Sequence, residues 1–354
     1  MSPTLPEVPV VTEGTLERHD AARRRLRGRL DDTDPLATAV CTHLQRRVLL
    51  ESLATVWPIR PLQRETLPLL PPRRRFLTPE FTARLEGARR ALDYVDARVR
   101  LVEAGHLDRL VEVETPHVLN ALAERTPGVG AHGGTPGLTR ATESGFDATE
   151  TDFRPPPPEH VDRLVRDAIA VASAADAPAV VRAAWLAFVV FAVHPFTDGN
   201  GRTARLLYQL LAGASPELGP EPGAIELWAA HRRDHIAAIR RGTDPSLPDY
   251  DGRRLRALPF VEYAVERATA AAELAVERLD VVARDVATNR RDGWSDVHEL
   301  VERVVTIDRN VTLAELDDGV VGDGAALGVV TDLVADGALT VDAAGRIQAT
   351  RRLV

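Results

Sequence analysis

The chain has 354 residues, 44% of them apolar and 27% charged, with a formal net charge of −8, the make-up of an ordinary globular protein with room for two or three domains. It contains no lysine, so all 44 basic residues are arginine; a Walker-A phosphate loop and a Schiff-base enzyme both need a lysine amine and are excluded. The single cysteine, Cys41, excludes a disulfide framework and an all-protein zinc site, and is expected to be a small core residue.

The N-terminus from Met1 to Glu7 has neither the basic start nor the apolar centre of a signal peptide. No apolar stretch reaches the length of a bilayer span, so a cytoplasmic protein with no membrane partner is expected. The first hundred residues mix arginine triplets (Arg23 to Arg25, Arg73 to Arg75) with proline clusters (Pro58 to Pro61, Pro68 to Pro72). They read as short helices on stiff connectors, with the arginines on solvated faces beside acidic neighbours rather than on nucleic acid. Ala88 to Ala104 has helical character. Gly133 to Gly137 opens a turn-rich stretch through Phe153, and the proline run Pro155 to Pro158 leads into a helix from Glu159 to about Ala172.

The run Ala183 to Val193 is apolar all round the helical wheel, as expected of a helix enclosed by other helices, with Asp176 and Pro178 as start signals. His194 then projects from the end of a buried rod that Pro195 stops. In the turn, Gly199 and Gly201 can point successive N–H groups into one concavity at the start of the next helix, an anion site reinforced by the helix dipole. At about 100° per residue, Arg202, Arg205 and Gln209 share one face of that helix, and Leu206, Leu207, Leu210 and Leu211 lie on the adjoining one. Asp198 is a hard oxygen donor suited to a magnesium ion that keeps most of its waters and bridges two phosphates. Base, metal ligand, amide cradle and two cations within twelve residues read as a nucleotide phosphate site.

Further on, Ile225 to Arg240 is predicted as one helix and Pro259 to Arg290 as a long Ala- and Glu-rich one. The tail from Trp294 to Val354 has three short helical patterns and a terminal hairpin, Ala338 to Val341 with Ile347 to Thr350, and is expected to be a winged helix. Its second helix, Gly324 to Ala335, carries Asp332 and no basic residue. A protein-docking or dimerising role, including a homodimer, is therefore favoured over DNA binding.

The segment His194-Pro195-Phe196-Thr197-Asp198-Gly199-Asn200-Gly201-Arg202-Thr203-Ala204-Arg205 fills every specified position of the signature His-Pro-Phe-x-Asp/Glu-Gly-Asn-Gly-Arg-x-x-Arg, so the chain resembles Fic proteins over roughly residues 80 to 265. The resemblance implies a mainly α protein: a Fic-fold helical core with a small β-hairpin flap between Gly133 and Phe153, an N-terminal helical extension and the C-terminal winged-helix module. The expected division is 1–105, 106–265, a connecting helix 266–292 and 293–354.

It also implies a protein adenylyltransferase. His194 takes the proton of a Ser, Thr or Tyr hydroxyl on a target protein, and that oxygen attacks the α-phosphorus of ATP. Asp198 holds Mg2+, Asn200 with the Gly199 and Gly201 amides holds the α- and β-phosphates, Arg202 and Arg205 hold the β/γ end, and Phe196 packs inward. Thr82-Ala83-Arg84-Leu85-Glu86-Gly87 resembles the inhibitory motif Ser/Thr-x-x-x-Glu-Gly/Asn of many Fic proteins, which implies self-inhibition by pairing of Glu86 with Arg205. His231 and His235 stand where many members have Asn and Tyr, which leaves another nucleotide open. The competing expectations are a nucleotide-sensing regulator whose tail binds DNA or protein, and a Fic enzyme that transfers another group or removes AMP.

Overall fold

The structure is a computed structural model that describes residues 4–54, 79–124, 135–143, 155–213, 224–243, 255–289, 295–308, 311–312, 316, 320–321, 325–342 and 346–350. The elements in chain order are α1 (Glu13–Asp32), α2 (Pro35–Ala54), α3 (Pro79–Glu103), α4 (Thr115–Glu124), α5 (Pro158–Ala174), α6 (Ala179–Val193), α7 (Asn200–Gly213), α8 (Ala224–Ala230), α9 (Arg232–Gly242), α10 (Leu258–Asn289), α11 (Asp296–Asp308), β1 (Val311–Thr312), α12 (Ala326–Ala335), β2 (Leu339–Val341) and β3 (Arg346–Ala349). The fold is mainly α, as the sequence predicts. Among the described residues it divides into two compact units, one drawn from Met1–Arg24, Leu49–Pro61 and Leu77–Ala272, the other from Arg25–Val48 and Glu273–Val354. The N-terminal region thus contributes to both, and α3 belongs with the helices that carry the His194 motif.

The first unit is organised around α6. Thirteen of its 15 residues are buried, because an Ala-, Val- and Phe-rich sequence offers apolar surface on every side. Burying each large side chain contributes about 1.5–3 kcal/mol. α7 packs along it, and α4 lies against both α3 and α7. α5 contributes one stripe only: Val161, Leu164, Val165, Ala168, Ile169 and Ala172 are buried, a 3/4 spacing that turns its charged residues outward. Arg182 ties the two helices together, donating to the carbonyls of Ala172 and Ala177 at 3.0 Å each. The crossing of α3 and α4 is close. A Cβ on Gly87 would lie 2.3 Å from the Ala123 carbonyl oxygen, so only glycine permits that approach.

The predicted helix Ile225 to Arg240 is two helices. His231 departs from helical angles (φ −107, ψ 44) and caps α9. The bonds His231 N–H to Leu227 O and His235 N–H to His231 O carry the ladder through the break, and the kink stacks His235 on Trp228, ring centroids 5.3 Å apart at 26°. Tertiary packing of aromatic rings, which local periodicity does not encode, overrides the single helix.

In the second unit Leu36, Ala37, Val40, Cys41 and Leu44 pack with Leu279, Val282 and Val286. Burial pushes the Cys41 thiol up to about 12, against the opposing charge of Arg278, so it is an inert core group. α11, α12 and the strands enclose a separate core of Val301, Val304, Leu316, Val330, Leu333, Leu339 and Ile347. The strands form an antiparallel sheet in the order β1-β3-β2, with Leu339 opposite Ala349 and Val341 opposite Ile347. The terminal hairpin is therefore formed. Most residues between β1 and α12 lie outside the described ones. α12 presents Leu327, Thr331, Asp332 and Val334 to solvent, a face without positive charge. No helix among the described residues is long and apolar enough to cross a membrane.

Candidate active site

α6 ends at His194, which caps it in the left-handed conformation (φ 50, ψ 58) with its N–H still bonded to the Val190 carbonyl. It is the one described non-glycine residue with positive φ. For a residue with a Cβ that conformation costs about 1–3 kcal/mol and persists only where the surroundings impose it. Here they do so from three sides. Pro195 follows, the Arg140 N–H donates to the Pro195 carbonyl at 2.9 Å, and Thr139 pairs with Phe196 in an antiparallel bridge. Phe196 is buried, as expected, with its ring edge-on to His117 at 5.6 Å.

The residue as a whole is half-buried, but ring atom Nδ1 is withdrawn from water. Desolvation, then the charge of Arg140, lowers the His194 pKa to about 4 against the raising effects of the Phe191 carbonyl and Asp198. The imidazole is neutral at pH 7 and able to accept a proton.

The turn into α7 is shaped by Asn200. Its carboxamide oxygen accepts from the Phe196 N–H at 2.8 Å and its NH2 donates to the Phe196 carbonyl at 2.7 Å. The Asn200 side chain is thus engaged within the loop. Gly199 adopts φ 79 and its N–H donates to Asp198 Oδ1 at 2.6 Å. The first helical bond runs from Thr203 N–H to the Gly199 carbonyl, and the N–H groups at the start of a helix before it have no intrahelical acceptor. Asp198, 39% exposed, offers its carboxylate at the mouth, 3.8 Å from Arg202.

Arg202 is buried, and its guanidinium is paired with Glu124 at 2.5 Å, both side chains nearly enclosed. Glu124 also presses on the turn: a Cβ on Gly199 would meet its Oε1 at 2.3 Å. That Oε1 and Arg202 Nη1 are buried with no hydrogen-bond partner among the described residues. Desolvation raises the Glu124 pKa, Arg202 lowers it and Asp198 raises it again. Arg205 donates to the Leu53 carbonyl at 3.4 Å, and burial, with the like charges of Arg202 and Arg232, lowers it to about 10. Arg232 is thus a third guanidinium beside the motif.

The structure does not bring Glu86 to Arg205. Glu86 is exposed on α3, because the helix presses Gly87 and Ala88 onto the core and turns the residue before them outward; the acidic partner inside the site is Glu124. Of the two histidines expected near the nucleoside, His231 is exposed, 4.0 Å from Asp234. His235 is buried among Phe191, Trp228, Phe260 and Tyr263. Desolvation, then Arg205 and Arg232, lowers its pKa to about 3. It is a core ring.

α4 supplies what sequence reasoning missed. Asn120 donates to the Asp198 carbonyl at 2.9 Å and to Thr203 Oγ1 at 3.2 Å, and accepts from the Gly137 N–H at 2.8 Å. His117 Nδ1 is 2.9 Å from the Gly137 carbonyl. His117, Asn120 and Glu124, at i, i+3 and i+7, form one polar face on an otherwise apolar helix, and that spacing was the available signal. Of the predicted flap, residues 135–143 are described and join the motif through the Thr139–Phe196 bridge and the bonds of Arg140 to the Pro195 and His194 carbonyls; 144–153 lie outside the described residues.

Residues 116–212 match the family model described as Fic/DOC family. No curated protein sequence matches the chain. Among solved structures, a Fic family protein from Desulfovibrio desulfuricans G20 aligns over 98% of this chain and 99% of its own, with 16% identity and a TM-score of 0.52. A Fic domain containing signaling protein from Bacteroides thetaiotaomicron VPI-5482 aligns over 73% of this chain and 97% of its own (17% identity, TM-score 0.49). Fic-1 (aa134 - 508) from C. elegans aligns over 75% and 72% (17% identity, TM-score 0.49). The complete signature, which runs from the end of α6 into α7, lies inside the residues that match the Fic/DOC family.

Proposed function

We propose that this protein is an adenylyltransferase that moves AMP from ATP to a hydroxyl side chain of a target protein. The observation that carries the reading is the neutral, desolvated His194 at the rim of a helix N-terminus flanked by the guanidiniums of Arg202 and Arg205. His194 accepts the hydroxyl proton as the oxygen forms a bond to the α-phosphorus. The bond from that phosphorus to the bridging oxygen breaks, and pyrophosphate leaves with the electron pair. Such a transfer needs positioning and charge neutralisation more than covalent chemistry. The α7 amides and Arg202 face the phosphates, and Arg205 their far end.

Asp198 fits a magnesium ion, being an oxygen donor with solvent access beside the cradle; when bound, the ion offsets phosphate charge. A cleft of this charge takes a polyphosphate, and its buried arginines give it no means of reading one target over another, so the target's identity rests on the flap and on surfaces such as the tail. The tail's helix, strand, helix and hairpin suit a winged-helix module with a protein partner or a second copy.

The test is incubation with ATP labelled at the α- or the γ-phosphate, in the presence of Mg2+ and lysate. α-Label on protein with wild type, no γ-label, and no label with His194→Ala is the expected result. Equal α-labelling by wild type and His194→Ala refutes the role of the imidazole.

A further inference from the structure

We propose that Arg140 is the positioning residue of the site, holding His194 in its left-handed conformation by clamping the carbonyl end of α6. The inference rests on His194 being the base.

Arg140 is 4% exposed, and no part of the signature contains it. Its Nε donates to the His194 carbonyl at 2.8 Å and its Nη1 to the Thr142 carbonyl at 3.0 Å, while Nη2 donates to the Pro156 carbonyl and lies 3.4 Å from the Val193 carbonyl. Its own N–H donates to the Pro195 carbonyl at 2.9 Å. One planar guanidinium therefore joins the last turn of α6, the catalytic turn, the flap segment and the entry to α5.

The electrostatics favour this placement. The last carbonyls of a helix lack intrahelical donors and carry the negative end of its dipole, and a cation with fixed forked donors satisfies both. A left-handed non-glycine residue needs such external determination, since its own backbone energy favours leaving that region. The acceptors of Arg140 are backbone carbonyls, none of them from Gly199, Arg202 or Arg205, and the charge that acts on it is that of Glu143. The charged groups acting on the His194 ring are Arg140, which disfavours its protonation, and Asp198, which favours it.

The geometry separates two consequences. Loss of the clamp lets the His194 backbone relax and misaligns the ring, which lowers turnover without touching nucleotide affinity. Loss of the charge lets the ring bind a proton at higher pH. Arg140→Met removes both, and Arg140→Lys keeps the charge but cannot span four carbonyls.

The experiment uses the full chain and three readouts: thermal midpoint, ATP affinity by calorimetry with Mg2+, and the His194 ring titration by NMR, assigned by its absence in His194→Gln. Kinetics of α-labelled transfer are added. The expected result is a His194 pKa that rises from about 4 toward the free value in Arg140→Met and stays low in Arg140→Lys. ATP affinity stays within about twofold of wild type, and kcat falls about tenfold or more in both variants, restored in part to Arg140→Met by free guanidinium. Full turnover in both folded variants overturns the proposal, as does loss of rate matched by loss of ATP affinity. If Arg140→Met does not fold, Arg140→Lys decides on the same criteria. If wild type transfers no label, the adenylyltransferase reading fails by itself, and the ring titration and the orientation of His194 in a crystal structure of Arg140→Lys still decide the clamp.

Discussion

Glu124 and Arg202 form an enclosed ion pair at the turn where α7 begins, 2.5 Å between carboxylate oxygen and guanidinium nitrogen. The carboxylate comes from α4, outside the signature, and its second oxygen rests against Gly199 without a partner among the described residues. A negative group thus already sits in the cradle that an oxyanion would enter, on the arginine that would hold it. Breaking such a pair leaves an uncompensated buried charge, which costs about 3–5 kcal/mol.

Glu124→Gln is therefore expected to lower the thermal midpoint of the nucleotide-free protein while enlarging the rise that ATP produces, because the phosphate then compensates Arg202 and meets no resident carboxylate. Thermal scans with and without ATP check this. An ATP-induced rise smaller than wild type's would mean that Glu124 aids binding by orienting Arg202.

Gly87→Ala tests the crossing of α3 and α4. The added methyl meets the Ala123 carbonyl oxygen at 2.3 Å, and backbone cannot swing aside as a side chain can, so a loss of about 1–3 kcal/mol is expected in denaturant unfolding. Glu86→Ala, on the neighbouring exposed residue, is expected to stay within about 0.5 kcal/mol of wild type. Equal effects of the two substitutions would contradict the packing described.

Asn200→Ala removes both bonds to Phe196 and leaves its N–H and carbonyl buried and unpaired, a cost of about 1–3 kcal/mol. The loop loses its shape with it, so ATP affinity falls as well. Calorimetric titration alongside unfolding distinguishes this from a direct contact to nucleotide, which would lower affinity and leave stability untouched.

Acid is expected to destabilise the fold. His19 and His194 have pKa values lowered to about 4 and His235 to about 3, each chiefly by desolvation. Above pH 6.5 these rings are neutral folded and unfolded and contribute no pH dependence. As pH falls below 6.5 the unfolded chain binds protons that the folded one refuses, so stability drops progressively toward pH 4, by up to about 1.4 kcal/mol per pH unit for each histidine. Glu124, shifted upward, works in the opposite sense. Unfolding midpoints at pH 7 and pH 4.5 measure the sum, and His235→Phe is expected to flatten the slope; an unchanged slope would refute its share.

The helix α6 was legible because eleven apolar positions in a row, Ala183 to Val193, leave no polar face to mistake, and α5 because its apolar residues keep a 3/4 spacing. The motif was legible because its twelve residues are adjacent in sequence. The kink at His231 and the burial of His235 were not, since four aromatic rings from α6, α8 and α10 decide them. Glu86 fits the inhibitory motif by its local pattern, and only the packing of Gly87 reveals which way that residue faces.

By itself, the order of residues determined a helical protein, a histidine at the end of a buried rod and a glycine-bounded turn after it, because each of these depends on short-range periodicity and backbone freedom. Tertiary structure alone decided which carboxylate meets Arg202, that Asn200 holds Phe196, and that Arg140 holds the end of α6. Those contacts join positions 54 to 78 residues apart or spend a side chain on its own loop, and burial selects them among many groups of equal chemistry.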